Sequence, residues 1–210
     1  MTTTNESPPV GTGIADPAPL GLAAFALTTF LLSAKNANWM NDATGSAWLG
    51  YAFAYGGLVQ LLAGMWEFRN RNVFGATAFG TYGGFWIGLG LWVLLVASAA
   101  PPHGVAALVY ASLLGKDLAW ILLAFAIFNT YMLIWSSQVN VAVFAVFLTL
   151  ELTEIVLFIG GFTANANIGK VGGYLGVLTA LVAWYASAGL VIRGMKGHDV
   201  LPLGKPFVNM

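Results

Sequence analysis

FGATAFGTYGGFWIGLGLW, residues 74–92, decides the fold. The stretch is apolar and long enough to cross a bilayer, which takes about 20 helical residues. It also carries Thr77, Thr81 and Tyr82, and small residues at Ala76, Gly80, Gly84 and Gly88. A spacing of four sets the small residues along one face of a helix. In a membrane, such a face predicts the close approach of a second helix. Tyr82 lies two positions from both Gly80 and Gly84, so it falls on a different side. A helix that is smooth on one side and hydroxylated on another suits the wall of a pathway. It equally suits an ordinary bundle helix whose Tyr meets a neighbour.

The rest of the chain shares this character. Of 210 residues, 59% are hydrophobic and 8% are charged, with a mean hydropathy of +0.80. Soluble proteins are about 25% charged, so the chain reads as an all-α, polytopic membrane protein. Its net charge of zero gives no reason to expect nucleic acid or an anionic lipid surface as a partner. It has no cysteine, which excludes disulfides and thiolate chemistry. Residues 1–16 hold no Lys or Arg and no apolar run, so they read as a disordered tail rather than a signal peptide.

Six spans follow from hydropathy. The first run, Leu20–Leu32, reaches spanning length only with Pro17 to Ser33 or Asn36, and includes Phe25, Thr28 and Thr29. Lys35–Thr44 is a polar loop. Trp48–Phe68 is the second span, with Gln60 inside and Glu67, Arg69 and Arg71 at its end. Phe74–Ala99 is the third, broken by Pro101-Pro102-His103. Val105–Leu114 is too short to cross and reads either as an interfacial segment or as an early extension of the next helix. Asp117–Trp135 is the fourth span, with Asn129, Thr130 and Tyr131. Val139–Phe162 is the fifth and carries Glu151 and Glu154; Asn165–Lys170 is a polar turn; Val171–Ile192 is the sixth. The expected division is a tail over 1–16, a six-helix transmembrane domain over 17–193, and a second tail over 194–210. Arg69, Arg71, Arg193, Lys196 and Lys205 fall on one side, and Lys35, Lys116 and Lys170 on the other. The excess of basic residues predicts that both termini are cytoplasmic. An internal echo, F-x-T-Y-x-x-x-W, joins Phe79–Trp86 to Phe128–Trp135 and reads either as a repeat or as coincidence in an aromatic chain.

Little chemistry is available for catalysis. His103 and His198 lie outside the spans, and no H-E-x-x-H, G-x-S-x-G or P-loop pattern is present. The sequence therefore leads us to expect no enzyme activity, no metal site and no cofactor. What the spans do hold is hydroxyls, amides and aromatic rings, which suits passage of a small polar solute. Glu151 and Glu154 stand apart. Carboxyls at membrane depth are costly and are functional candidates by default. Three positions apart on one helix face, with no basic residue inside a span to pair with, they are candidates for proton coupling. A shifted span that puts them near an interface reads equally well.

Three blocks resemble a known family. Asp16-Pro17-Ala18-Pro19-Leu20-Gly21-Leu22-Ala23-Ala24-Phe25 is similar to the N-P-A-P-L-G-L-x-x-F signature of the acetate uptake transporters, the succinate–acetate permeases. Gly64-Met65-Trp66-Glu67-Phe68 with Phe74 to Trp86 resembles that family's second block, and Leu201-Pro202-Leu203-Gly204-Lys205 its ending. The likeness singles out Asp16, Pro17, Pro19, Gly21 and Glu67 as motif residues. It implies six transmembrane helices per subunit, a ring of six subunits in the cell (inner) membrane, and a separate path through each subunit. It also implies small carboxylate substrates, chiefly acetate and in some members succinate, and a midway constriction mapping to Phe25, Tyr82 and Leu150. Two departures stand out: Asp16 replaces the family's Asn, and Glu151 and Glu154 stand where neutral residues are expected.

The reading is therefore a carboxylate transporter or channel, with substrate, protons, membrane lipid and further copies of the chain as partners. Thr28, Thr29, Gln60, Thr81, Asn129 and Asn165 are candidates to offer hydrogen bonds along the path. A channel for ammonia, urea or a short amide, or a non-transporting scaffold, would use the same bundle.

Overall fold

The structure of the protein, a computed structural model, describes residues 13–40, 45–98 and 105–208. Residues 1–12 and the Pro101-Pro102-His103 break lie outside the described residues. Helix α1 spans Ala18–Asn36. Helix α2 runs through three consecutive segments, α-helical at Ala47–Phe53, π-helical at Ala54–Val59 and α-helical again at Gln60–Arg69. Then come α3 (Val73–Ser98), α4 (Val105–Ser136), α5 (Val141–Thr163) and α6 (Ala166–Lys196). No strand occurs among the described residues. Five stretches are long and apolar enough to cross a membrane: α1, Val73–Leu95 of α3, Gly115–Ser136 of α4, α5 and α6. The chain is thus a multi-pass, all-helical membrane protein. The π segment divides α2, which is not among the five.

Helix ends follow side-chain chemistry. Asp16 Oδ1 accepts from the Ala18 amide at 2.9 Å, and Asn140 Oδ1 from the Val143 amide at 2.9 Å, each satisfying a donor that a helix start leaves unpaired. Of the two readings of Val105–Leu114, the early extension of α4 holds, because Gly115 alone costs a helix only about 1 kcal/mol. Two boundaries differ from the hydropathy reading. The supposed turn Asn165–Lys170 shrinks to Ala164 and Asn165. Asn165 Oδ1 accepts from the amides of Asn167 and Ile168 at 3.0 and 3.3 Å, so α6 starts at Ala166. α6 also continues past Ile192 to Lys196, where Gly197, with φ 74°, provides the left-handed stop.

The small-residue stripe of α3 packs over only part of its length. A Cβ on Gly64 of α2 would stand 2.6 Å from the Gly80 nitrogen, so the two backbones touch there. Gly84 and Gly88 have nothing within 4 Å. The contact with α2 continues on the neighbouring side of α3, where a Cβ on Gly83 or Gly90 would meet Leu61 or Phe53, and Gly84 and Gly88 lie off that seam. Elsewhere α1 packs on α6, α6 on α5 and α5 on α4, while α3 and α4 scarcely touch. The main apolar core gathers Phe25, Phe79, Tyr82, Val146, Phe147 and Leu150. The segment after α6, read as a tail, is docked against this body. The Ala142 amide donates to Leu203 O at 2.9 Å, the Tyr185 hydroxyl donates to Pro202 O at 2.8 Å, and Leu203 is buried in the core.

Candidate functional site

The wide gap between α3 and α4 becomes a cavity of ≈590 Å³ at the end of the bundle that carries Lys35. Lys35, Asn36 and Asn38 stand at its rim, with Asn165 at the start of α6. Leu89 and Trp92 of α3 and Leu118 and Leu122 of α4 form its apolar walls. Phe85 also lines it, and there the space ends against rings: Phe85 meets Phe125 edge-on with centroids 4.6 Å apart, and both lean on Tyr82, at 6.3 and 5.9 Å.

Beyond Tyr82 lies a pocket of only ≈20 Å³, room for about one water. Phe25, Tyr82 and Leu150, from α1, α3 and α5, line it together, and Gln60 of α2 reaches it as well. Phe25 and Tyr82 meet edge to face with centroids 5.8 Å apart. Gln60 is fully buried, and its Oε1 has no hydrogen-bond partner. This α-to-π-to-α junction is where Gln60 begins the second α-helical segment of α2. The π turn adds a residue to the local register and so resets which side of the later segment faces inward.

A buried polar network backs the Tyr82 hydroxyl. It lies 3.0 Å from Asn129 Oδ1 and 3.3 Å from Glu154 Oε1. Asn129 Nδ2 donates to Phe147 O at 3.0 Å and to Glu151 Oε2 at 2.7 Å. The Thr130 hydroxyl reaches Glu151 Oε1 and Ala126 O, each at 2.8 Å. Glu151 is half-buried, whereas Glu154 is buried and its Oε2 has no partner. Three helices thus converge on one phenol, and Asn129, Glu151 and Glu154 fall in a single cluster behind it.

Other residues singled out from the sequence stand apart. Thr28 is buried, and its hydroxyl turns to Ala24 O at 3.1 Å and Tyr51 O at 3.4 Å, binding α1 to α2. Thr29 is buried with its Oγ1 unpartnered, and Thr81 is half-buried. Asn165 lines the wide cavity and not the narrow pocket. The motif residues are fastenings: the Ser187 hydroxyl donates to Pro19 O at 2.7 Å, and buried Glu67 accepts from Asn70 Nδ2 at 3.1 Å. The sequence reading missed Phe85 and Phe125. Both follow from helical spacing, since Phe85 is three residues after Tyr82 and Phe125 four before Asn129.

Comparisons with known proteins agree with this architecture. Residues 2–197 match the GPR1/FUN34/yaaH family. Ammonia transport outward protein 2 of Saccharomyces cerevisiae is 41% identical over 195 residues, covering 91% of this chain and 67% of the yeast protein. The succinate-acetate/proton symporter SatP of Escherichia coli K12 is 33% identical over 194 residues, covering 92% of this chain and 97% of SatP. The solved structure of the bacterial acetate channel SatP matches with a TM-score of 0.81 at 30% identity, over 91% of this chain and 100% of that one. The chain spans about two thirds of the length of the fungal relatives that match it at 40% identity or more.

Proposed function

Since this chain belongs to the GPR1/FUN34/yaaH family, we propose that it is a membrane transporter or channel that passes small carboxylates, acetate first, through each subunit. One observation supports the reading: a ≈590 Å³ cavity ends against a layer of rings, and a ≈20 Å³ pocket lined by Phe25, Tyr82 and Leu150 lies on the other side of Tyr82. A solute enters the wide end hydrated, past Lys35 and the amides of Asn36 and Asn165. At the rings it sheds water, and hydrophobic constrictions of this kind can gate by dewetting. The Gln60 amide replaces part of the lost hydration. A monocarboxylate has one charged end to strip and a methyl that suits the apolar walls. Succinate has two charged ends, so it passes by the same route at greater cost. The SatP relatives, named for acetate, support this substrate.

We read the assembly as a ring of six such subunits in the cell membrane, with both termini cytoplasmic and α2 as the sixth crossing. Several relatives are named as transporters, permeases or channels, which supports passage rather than catalysis. The test is uptake of labelled acetate by purified protein in liposomes, with and without a pH gradient. Uptake no faster than in empty liposomes refutes the reading.

A second reading has one observation in its favour. The yeast relative is named for ammonia transport, and a pocket with room for about one water suits ammonia too. Swelling of proteoliposomes in an ammonium gradient without acetate uptake would select it.

A further inference from the structure

The Tyr82 network has too few hydrogens for its acceptors. The phenol has one proton and two acceptors within reach, Asn129 Oδ1 at 3.0 Å and Glu154 Oε1 at 3.3 Å. The Asn129 amide cannot be reversed, because one of its hydrogens already meets Phe147 O, a carbonyl oxygen that can only accept. Asn129 Oδ1 therefore needs the phenol proton. That leaves Glu154 Oε1 facing the phenol oxygen with no hydrogen between them, while Glu154 Oε2 has no partner at all. A carboxylate so buried, with 3% of the residue exposed and no donor, is the costliest way to fill this site. One added hydrogen on Glu154 closes the chain: the Glu154 hydroxyl donates to the Tyr82 oxygen, and the Tyr82 hydroxyl to Asn129 Oδ1.

We propose that Glu154 is a proton-binding site of the pathway and that a carboxylate passes Tyr82 while the site is filled. Glu151 is the contrasting group. Each of its oxygens lies within reach of a donor, Asn129 Nδ2 at 2.7 Å and the Thr130 hydroxyl at 2.8 Å, whereas Glu154 Oε2 has none. The groups that face Glu154 are Glu151 on its own helix, Tyr82 from α3 and, behind Tyr82, Tyr131 from α4. From α6 the neighbouring polar group is Thr179, bonded to Thr153 at 3.1 Å. Among the described residues the ion pair is Arg193–Asp199, in the C-terminal region, and no cation is paired with either glutamate. With the proton in place, the phenol is backed by a neutral acid and the narrow pocket carries no charge. Without it, a second anion stands directly behind the ring that the substrate must pass, and repels it. The passage step rests on the carboxylate reading above; the protonation of Glu154 does not.

Infrared spectroscopy of the purified protein in lipid at neutral pH reads the site directly, with no substrate present. The wild type should show the carbonyl stretch of a buried un-ionised carboxylic acid. Glu154→Gln, whose amide still donates to Tyr82, should remove it, and Glu151→Gln should leave it. A wild-type spectrum without that band, or a band lost with Glu151→Gln and kept with Glu154→Gln, overturns the assignment. Uptake of labelled acetate at constant anion concentration tests the passage step. Protein-dependent uptake by the wild type should fall by roughly tenfold per pH unit once the site empties, and that of Glu154→Gln should stay flat. An unchanged pH profile in Glu154→Gln overturns the role in passage. A wild type that takes up no acetate refutes the carboxylate reading and leaves the infrared result standing.

Discussion

The two spaces along the bundle are built on opposite rules. The outer one is wide, rimmed by amides and a lysine, and lined by residues of all six helices. The inner one is smaller by more than an order of magnitude and is lined by apolar side chains and Gln60. At the rim a polar group is solvated whether or not a solute is present, so any single contact matters little. At the inner pocket every polar atom is withheld from water, and an unmet one costs about 1–3 kcal/mol. The comparison predicts that substitutions at the rings change which solute passes, whereas substitutions at the rim change only how readily it arrives.

The largest effect is expected at Phe25. Its ring is one wall of the inner pocket and packs on Tyr82. Phe25→Ala should widen the pocket, raise uptake of propionate, butyrate and succinate relative to acetate, and increase leak. If the ring is only packing, its removal costs stability instead, about 3–5 kcal/mol on core precedents. Uptake ratios normalised to folded protein in the membrane separate the two, and an unaltered ratio in a folded variant removes Phe25 from the constriction.

Tyr82→Phe comes next. The ring remains, so size selection should persist, but the hydroxyl that lies between Asn129 and Glu154 is lost. Acetate uptake should fall by up to roughly tenfold, the equivalent of about 1.4 kcal/mol. The ratio of acetate to butyrate should hold. A collapse of that ratio would show that the hydroxyl, and not the ring, sets the width.

Both residues are singled out in the sequence by the family resemblance, which pairs them with Leu150, and the three line one pocket. Rotation of a helix about its axis is not legible. The F-x-T-Y-x-x-x-W pattern occurs twice, yet Tyr82 and Trp86 are 4% and 3% exposed while Tyr131 and Trp135 are 45% and 50% exposed. The same letters face the core in α3 and the periphery in α4. Which side of an apolar helix turns inward depends on its neighbours, because in a membrane helix both sides are hydrophobic and no amphipathic contrast marks one of them. The glycine stripe misleads for a related reason. A spacing of four marks one smooth face, but α2 follows Gly80, Gly83 and Gly90, a seam that drifts off that face. The π segment of α2, which sets the facing of Gln60, leaves no mark in hydropathy. The docking of Leu203 is hidden because its surroundings in sequence are polar and rich in Pro and Gly.

The smallest effect is expected at the rim, where Lys35 is exposed and the cavity around it is open. An exposed unit charge attracts a carboxylate through water, and at physiological salt its reach is about 8 Å. Its work is therefore to raise the local concentration of anions, not to hold one. Lys35→Gln should raise KM for acetate by about twofold to fivefold at low ionic strength, the scale expected of one charge in water, and leave kcat unchanged. The difference should vanish near 1 M salt, where the screening length is about 3 Å. Uptake kinetics of the two proteins at low and high salt check this. A loss in kcat, or a defect that salt does not erase, would mean that Lys35 binds the solute directly and that the outer space discriminates as the inner one does.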